Sequence, residues 1–119
     1  MKASELRIGN LVKSIGIEYV VCKVDSHGNI TGVEGNTSFN LDRTTEPIPL
    51  TEEWLLKFGF DLINNEYYQS RNHDLKLHWT VNKNKMIPEF NEKRFVTGYD
   101  FKYVHQLQNL YFALTGHEL

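Results

Sequence analysis

The sequence predicts an α+β fold, with a small barrel-like β half followed by a helix, antiparallel strands and a C-terminal amphipathic helix. Three observations predict it. The first fifty residues break into short β-branched runs separated by turn residues, Ser26-His27-Gly28-Asn29 and Gly35-Asn36. Residues 74–81 alternate, with Leu75, Leu77, Trp79 and Val81 on one side and Asp74, Lys76, His78 and Thr80 on the other, which is the period of a strand with one buried face. Near the end, Tyr103, Leu107, Leu110 and Leu114 recur at helical spacing, and Val104 and Tyr111 widen the stripe.

Residues 6–12 read as an extended segment with a glycine bend. Residues 17–25 are rich in β-branched and aromatic side chains. Residues 30–34 return as their hairpin partner, and residues 39–41 add a short strand. Short strands joined by tight turns suggest a small barrel or curled sheet. The opening Leu6-Arg7-Ile8-Gly9-Asn10-Leu11-Val12 resembles the first strand of Src-homology-3-like barrels.

Pro47-Ile48-Pro49 stiffens the connection, because each proline turns its predecessor away from helix. A sharply bounded helix follows. Thr51 caps it, Glu52 and Glu53 favour its dipole, and Leu50 and Leu55 occupy the positions of a hydrophobic staple. Gly59 ends it in a left-handed cap with Phe60 folding back on Leu55. Trp54, Leu55 and Phe58 are the residues it buries.

Residues 60–63 and 67–69 flank Asn64-Asn65, a good hairpin turn. Residues 82–85 form a polar turn after the alternating strand. Residues 86–90 pair back, with Pro88 pointing to an edge strand, and Phe95-Val96 add a last short strand. The terminal helix starts near Asp100 and ends at Gly116. Residues 1–48 are thus expected as the β-barrel-like module and 49–119 as the helix–sheet–helix module, sharing one core.

The chain has 119 residues, 40% of them hydrophobic and 13% aromatic, which suffices for a packed core. Its formal net charge of -2 disfavours a protein that grips nucleic acid mainly through phosphates. Cys22 is the single cysteine, so an internal disulfide and a cysteine-rich zinc site are excluded. The opening residues lack a signal-peptide core, and the apolar runs are too short to cross a bilayer. A cytoplasmic protein without membrane attachment is expected.

Candidate chemistry is sparse. The five histidines, His27, His73, His78, His105 and His117, form no ligand spacing and read as ordinary surface residues. Cys22, among Val20, Val21 and Val24, reads as a buried structural thiol. No nucleophile elbow or glycine-rich phosphate loop is present. Neither a catalytic residue, a metal site nor a cofactor is expected. The second half is crowded with aromatics, Tyr67, Tyr68, Trp79, Phe90, Phe95, Tyr99, Phe101 and Tyr103. Lys83, Lys85, Lys93 and Arg94 flank Phe90 and Phe95, a composition suited to a protein partner or to stacking on bases. Lys83, Lys85, Phe90, Lys93 and Arg94 are therefore the candidate partner-binding residues.

Three segments taken together, residues 5–12, 46–60 and 103–119, resemble a family of short uncharacterised proteins frequent in Bacteroidetes and in their phages and mobile elements. The resemblance spans nearly the whole chain. It implies a bacterial or phage cytoplasmic setting and an accessory or host-interaction role, and it carries over no catalytic residue. The expected function is a non-catalytic protein-interaction module acting on another protein or on a second copy of itself. A nucleic-acid-binding accessory protein is the alternative.

Overall fold

The computed structural model describes residues 5–41, 45–65, 67–70, 75–79, 86–90, 93–94 and 102–119. Strands β1 (Leu11–Ser14), β2 (Ile17–Val24), β3 (Ile30–Glu34) and β4 (Thr37–Asn40) form an antiparallel meander, and β5 (Thr45–Glu46) returns to the free side of β1. Helix α1 (Glu52–Lys57) follows. A second antiparallel sheet then runs in chain order through β6 (Asp61–Ile63), β7 (Tyr67–Gln69), β8 (Leu75–Trp79), β9 (Met86–Phe90) and β10 (Lys93–Arg94). Helix α2 (Val104–Thr115) comes last. The α+β class holds, built on two antiparallel sheets. No pairing of β4 with β5 closes the first sheet among the described residues, so the barrel-like form is not confirmed.

Alternation makes the first sheet two-faced. Val12, Tyr19, Val21, Ile30 and Leu41 form its buried cluster. Leu41 leaves β4 and turns beneath the sheet, where its carbonyl accepts from the Thr45 hydroxyl at 2.5 Å. Gly32 makes room for it: a Cβ there would strike Leu41 Cδ1 and come within 2.8 Å of Tyr19 Cβ. The β2–β3 register shifts by one residue between Val21 and Lys23. Cys22 is the extra residue of that bulge and is exposed. The apolar neighbours suggested a buried thiol, but alternation buries Tyr19 and Val21 and leaves Val20 and Cys22 on the other side.

Helix α1 ends as its sequence requires. Gly59 has φ +86°, Phe60 donates its N–H to the Leu55 carbonyl at 2.9 Å, and Gly59 donates to Leu56 at 3.0 Å. This is a Schellman cap. Leu55 and Phe60 are fully buried, whereas Trp54 and Phe58 are half-buried. Thr51 has the backbone of a cap, but its hydroxyl makes no capping hydrogen bond. The helix start is held instead by Glu52, which accepts from the Tyr68 hydroxyl of β7.

In the second sheet, Leu75, Leu77 and Tyr68 join Leu55, Phe60 and Leu107 in a second buried cluster. Asn64 and Asn65 both take positive φ, 53° and 59°, in the tight turn between the paired residues Ile63 and Tyr67, a conformation that asparagine tolerates. Strand β9 is not the edge that Pro88 suggested, because β10 lies outside it. Among the described residues β10 pairs with Phe90 and Glu89 and not with Pro88, which has no N–H to offer. Trp79 lies in β8, with its side chain outside the described residues, as are Asp74, Thr80, Val81, Phe95 and Val96.

Helix α2 starts at Val104 rather than near Asp100. The preceding backbone is drawn into pairing with the proline-flanked linker: Leu50 donates to Lys102 at 2.8 Å and Val104 to Ile48 at 2.8 Å, around a Pro49–Tyr103 bridge. Helix geometry begins only where that pairing ends. Gln106 Oε1 then accepts from the backbone of Lys102 at 2.8 Å and of Tyr103 at 3.0 Å. Gly116 closes the helix with φ 74°.

One side of α2 carries the expected apolar stripe into the second cluster, through Leu107 with Leu110, Tyr111 and Leu114 around it. The other side is polar and faces β1. Gln108 Oε1 accepts from Leu11 N–H at 2.8 Å, and Gln108 Nε2 donates to the Gly9 carbonyl at 3.2 Å. Asn10 Nδ2 donates to Asn109 Oδ1 at 2.8 Å. Arg7 stacks on Phe112, 4.2 Å from the ring centre, and pairs with Glu118.

Two stability outcomes follow from this packing. Gly32→Ala forces Leu41 and Tyr19 apart and is expected to cost roughly 1–3 kcal/mol. Gln108→Leu leaves the Leu11 N–H and Gly9 carbonyl without partners and is expected to cost about 1–3 kcal/mol for each group left buried. Urea denaturation midpoints check both. A midpoint within error of wild type for either variant shows that the contact does not hold the fold.

Candidate functional site

The structure distributes the sequence-predicted site residues unevenly. Lys83 and Lys85 lie outside the described residues. Phe90 ends β9, half-buried and packed against the second cluster. Lys93 and Arg94 form β10, opposite Phe90 and Glu89 respectively. The described backbone thus brings Phe90, Lys93 and Arg94 to one sheet edge, and part of the Phe90 ring serves the core.

On the face of the second sheet opposite Leu75 and Leu77, the pairing aligns Tyr67 with His78 and Lys76 with Glu89. Lys76 Nζ lies 3.7 Å from Glu89 Oε2, and His78 Nε2 lies 3.5 Å from Glu89 Oε1. The Tyr67 ring centre is 5.2 Å from His78, and Lys76 sits 5.1 Å over Tyr67. His78 is half-buried rather than an exposed member of a polar face, because the Tyr67 ring and Glu89 crowd its imidazole. Among the described residues its Nε2 has no hydrogen-bond partner, with Glu89 Oε1 at 3.5 Å. The group is a cross-strand charge and ring network of a kind that stabilises sheets.

His105 is buried at 3% exposure, because α2 is covered on two sides. Its ring stacks on Tyr103 at 5.9 Å, and its Nδ1 is buried without a partner. Burial holds its pKa below the ordinary imidazole value, and the nearby Glu5 carboxylate only partly opposes this. His27 and His117 are exposed as expected, and His73 lies outside the described residues.

Among the described residues, no three His, Cys, Asp or Glu side chains converge to hold a metal ion. No described helix is long and apolar enough to cross a membrane.

The first sheet presents features that the sequence reading missed. β4 is an outer strand whose four residues, Thr37, Ser38, Phe39 and Asn40, are all exposed. Phe39 is braced edge-on against Tyr19 at 5.4 Å yet stays 41% exposed. The tip of the β1–β2 hairpin is Ile15-Gly16, with Ile15 81% exposed and Ile17 beside it also exposed. A positive-φ turn occupied by isoleucine carries no turn signal, so sequence reading passed over it. No family model, curated protein or solved structure matches the chain.

The buried His105 gives a pH dependence with a definite sign. Its folded pKa is depressed below the ordinary 6.5, so the unfolded chain binds the proton first. Its contribution is complete above about pH 6.5, is lost as pH falls toward the depressed value, and levels off below it. Relative to His105→Gln, wild-type stability is expected to fall between pH 7 and pH 5. Parallel curves for the two proteins over that range show that His105 does not titrate on unfolding.

Proposed function

We propose that the protein is a non-catalytic protein-interaction module of a bacterial or phage cytoplasm, serving an accessory or host-interaction role. The observation that carries this reading is the β4 edge. A strand at the edge of a sheet offers unpaired backbone groups to another chain, and proteins usually guard it with lysine, proline or a bulge. Thr37-Ser38-Phe39-Asn40 carries no charge and no proline, and its register with β3 is unbroken. An added strand would gain backbone hydrogen bonds along Thr37–Phe39 and an aromatic contact at Phe39. The first sheet is read as the barrel-like half of the module. The bulge at Cys22 and the return of β5 to β1 support a curled form.

The test is affinity capture from bacterial cytoplasm with and without nuclease, using wild type and Ser38→Lys. The substitution places a guarding charge on an exposed edge position, so stability is expected to change by no more than about 0.5 kcal/mol. Nuclease-resistant capture of a protein or of a second copy, weakened at least about tenfold by Ser38→Lys, is the expected outcome. Capture that nuclease abolishes, with an affinity that falls steeply with salt, overturns the reading in favour of nucleic acid.

A further inference from the structure

The backbone of β4 faces two ways, and its register with β3 fixes which residue faces out. Leu41 donates its N–H to the Ile30 carbonyl at 2.9 Å. Hydrogen-bonded pairs alternate along an antiparallel ladder. Counting by twos from Ile30 and Leu41, the bonded pairs are Gly32 with Phe39 and Glu34 with Thr37. Ser38, opposite Val33, falls between them, so its N–H and carbonyl point off the sheet. The side chains alternate as well. A Cβ on Gly32 would meet Tyr19 and Leu41, so Gly32 and its partner Phe39 lie on the face of the buried cluster, and Thr37 shares that face. Phe39 and Thr37 are nevertheless both exposed, at the rim of the cluster.

We infer that β4 docks a second copy of this chain, β4 against β4, antiparallel about a two-fold axis through Ser38. On that axis the two Ser38 residues exchange N–H to carbonyl bonds. An axis perpendicular to the sheet keeps both buried faces on one side. Each Phe39 then stands opposite the partner's Thr37 in a non-hydrogen-bonded pair, the closer kind, where an aromatic ring packs well on a β-branched side chain. Charge favours this occupant. A foreign strand is usually selected by charges of opposite sign, and β4 carries none. Glu34, the charged residue paired with β4, lies opposite Thr37. In the dimer the two Glu34 carboxylates are at least three strand spacings apart, about 14 Å, beyond the screening length of about 8 Å. The pairing also closes. It uses the same edge of both copies, and the other edge of the first sheet, β5, is two residues long, so no fibre propagates. An edge without lysine or proline, a hazard on a monomer, is safe once paired in this way. Four residues make an interface smaller than that of a permanent dimer, so association is weak.

The inference rests on the reading of β4 as the interaction edge. Sedimentation equilibrium of the full chain is expected to show a dimer with a dissociation constant of roughly 0.1–1 mM. Ser38→Lys sets two ammonium groups against each other on the axis and is expected to raise that constant at least about tenfold. The register is tested in a Cys22→Ser background. Ser38→Cys is expected to form an intersubunit disulfide, because the Cα atoms of a bonded pair are about 5.5 Å apart. Asn36→Cys, also exposed, is expected to form at least about tenfold less, its two copies standing about 14 Å apart. A chain that stays monomeric at about 1 mM overturns the inference, as does a dimer that Ser38→Lys leaves unchanged, or equal disulfide yields from the two cysteine variants. A monomer together with capture of a different protein that Ser38→Lys weakens sinks the inference alone. Capture indifferent to Ser38→Lys sinks the reading of the β4 edge with it.

Discussion

A strand edge that water does not reach must find hydrogen-bond partners in the protein itself, and at β1 this requirement organises the molecule. β2 satisfies one side of β1, but β5 reaches only Lys13 and Ser14 on the other. The Leu11 N–H and Gly9 carbonyl remain, and the carboxamide of Gln108 meets both, its oxygen to the donor and its nitrogen to the acceptor. A primary amide has the donor and acceptor pattern of a peptide group, so Gln108 acts as one residue's worth of an extra strand. Helix α2 is thereby fixed to the first sheet in register while its leucines enter the cluster under the second.

This arrangement explains how the halves differ in what holds them. Each sheet has its own cluster of buried apolar residues. Between α2 and β1 the contacts are mainly amide to backbone, amide to amide and guanidinium to ring. Hydrogen bonds contribute modestly to net stability but are expensive to leave unmade. The junction therefore specifies geometry more strongly than it adds stability. His105 sits in the same junction with an unpartnered Nδ1, and Arg7 Nε there is likewise buried without a partner among the described residues.

The elements written in local chemistry were legible. Gly59 and Phe60 announced a Schellman cap, Asn64-Asn65 a tight hairpin, and Gly116 a left-handed stop. The apolar stripe of α2 placed Leu107 correctly in a core. What was not legible depended on distant partners. Helix α2 starts late because residues 48–50 claim the backbone before it, and no residue near Asp100 records that claim. His105 looked solvated because a one-sided helix was assumed, and for the same reason Gln108 drew no notice. A usable signal was present: from Tyr103 to His117 the chain has no Lys, Arg, Asp or Glu. A helix with a free face normally carries charge there, so a run of Gln106, Gln108 and Asn109 in its place marks burial on two sides. At the proposed interaction surface, Phe90 and the β10 pair were placed on one edge as backbone positions, whereas the β4 edge emerges only from the sheet order.

The bond between Leu11 and Gln108 joins residues 97 apart in sequence. A ribosome adds about 5–20 residues per second, so β1 leaves it roughly 5–20 s before the side chain that completes its edge is made. During that interval the nascent first sheet has an open margin at β1 as well as at β4. Chaperone dependence during synthesis should therefore centre on the first fifty residues, and truncation before Gln108 should leave a chain more prone to associate through β1 than the finished protein.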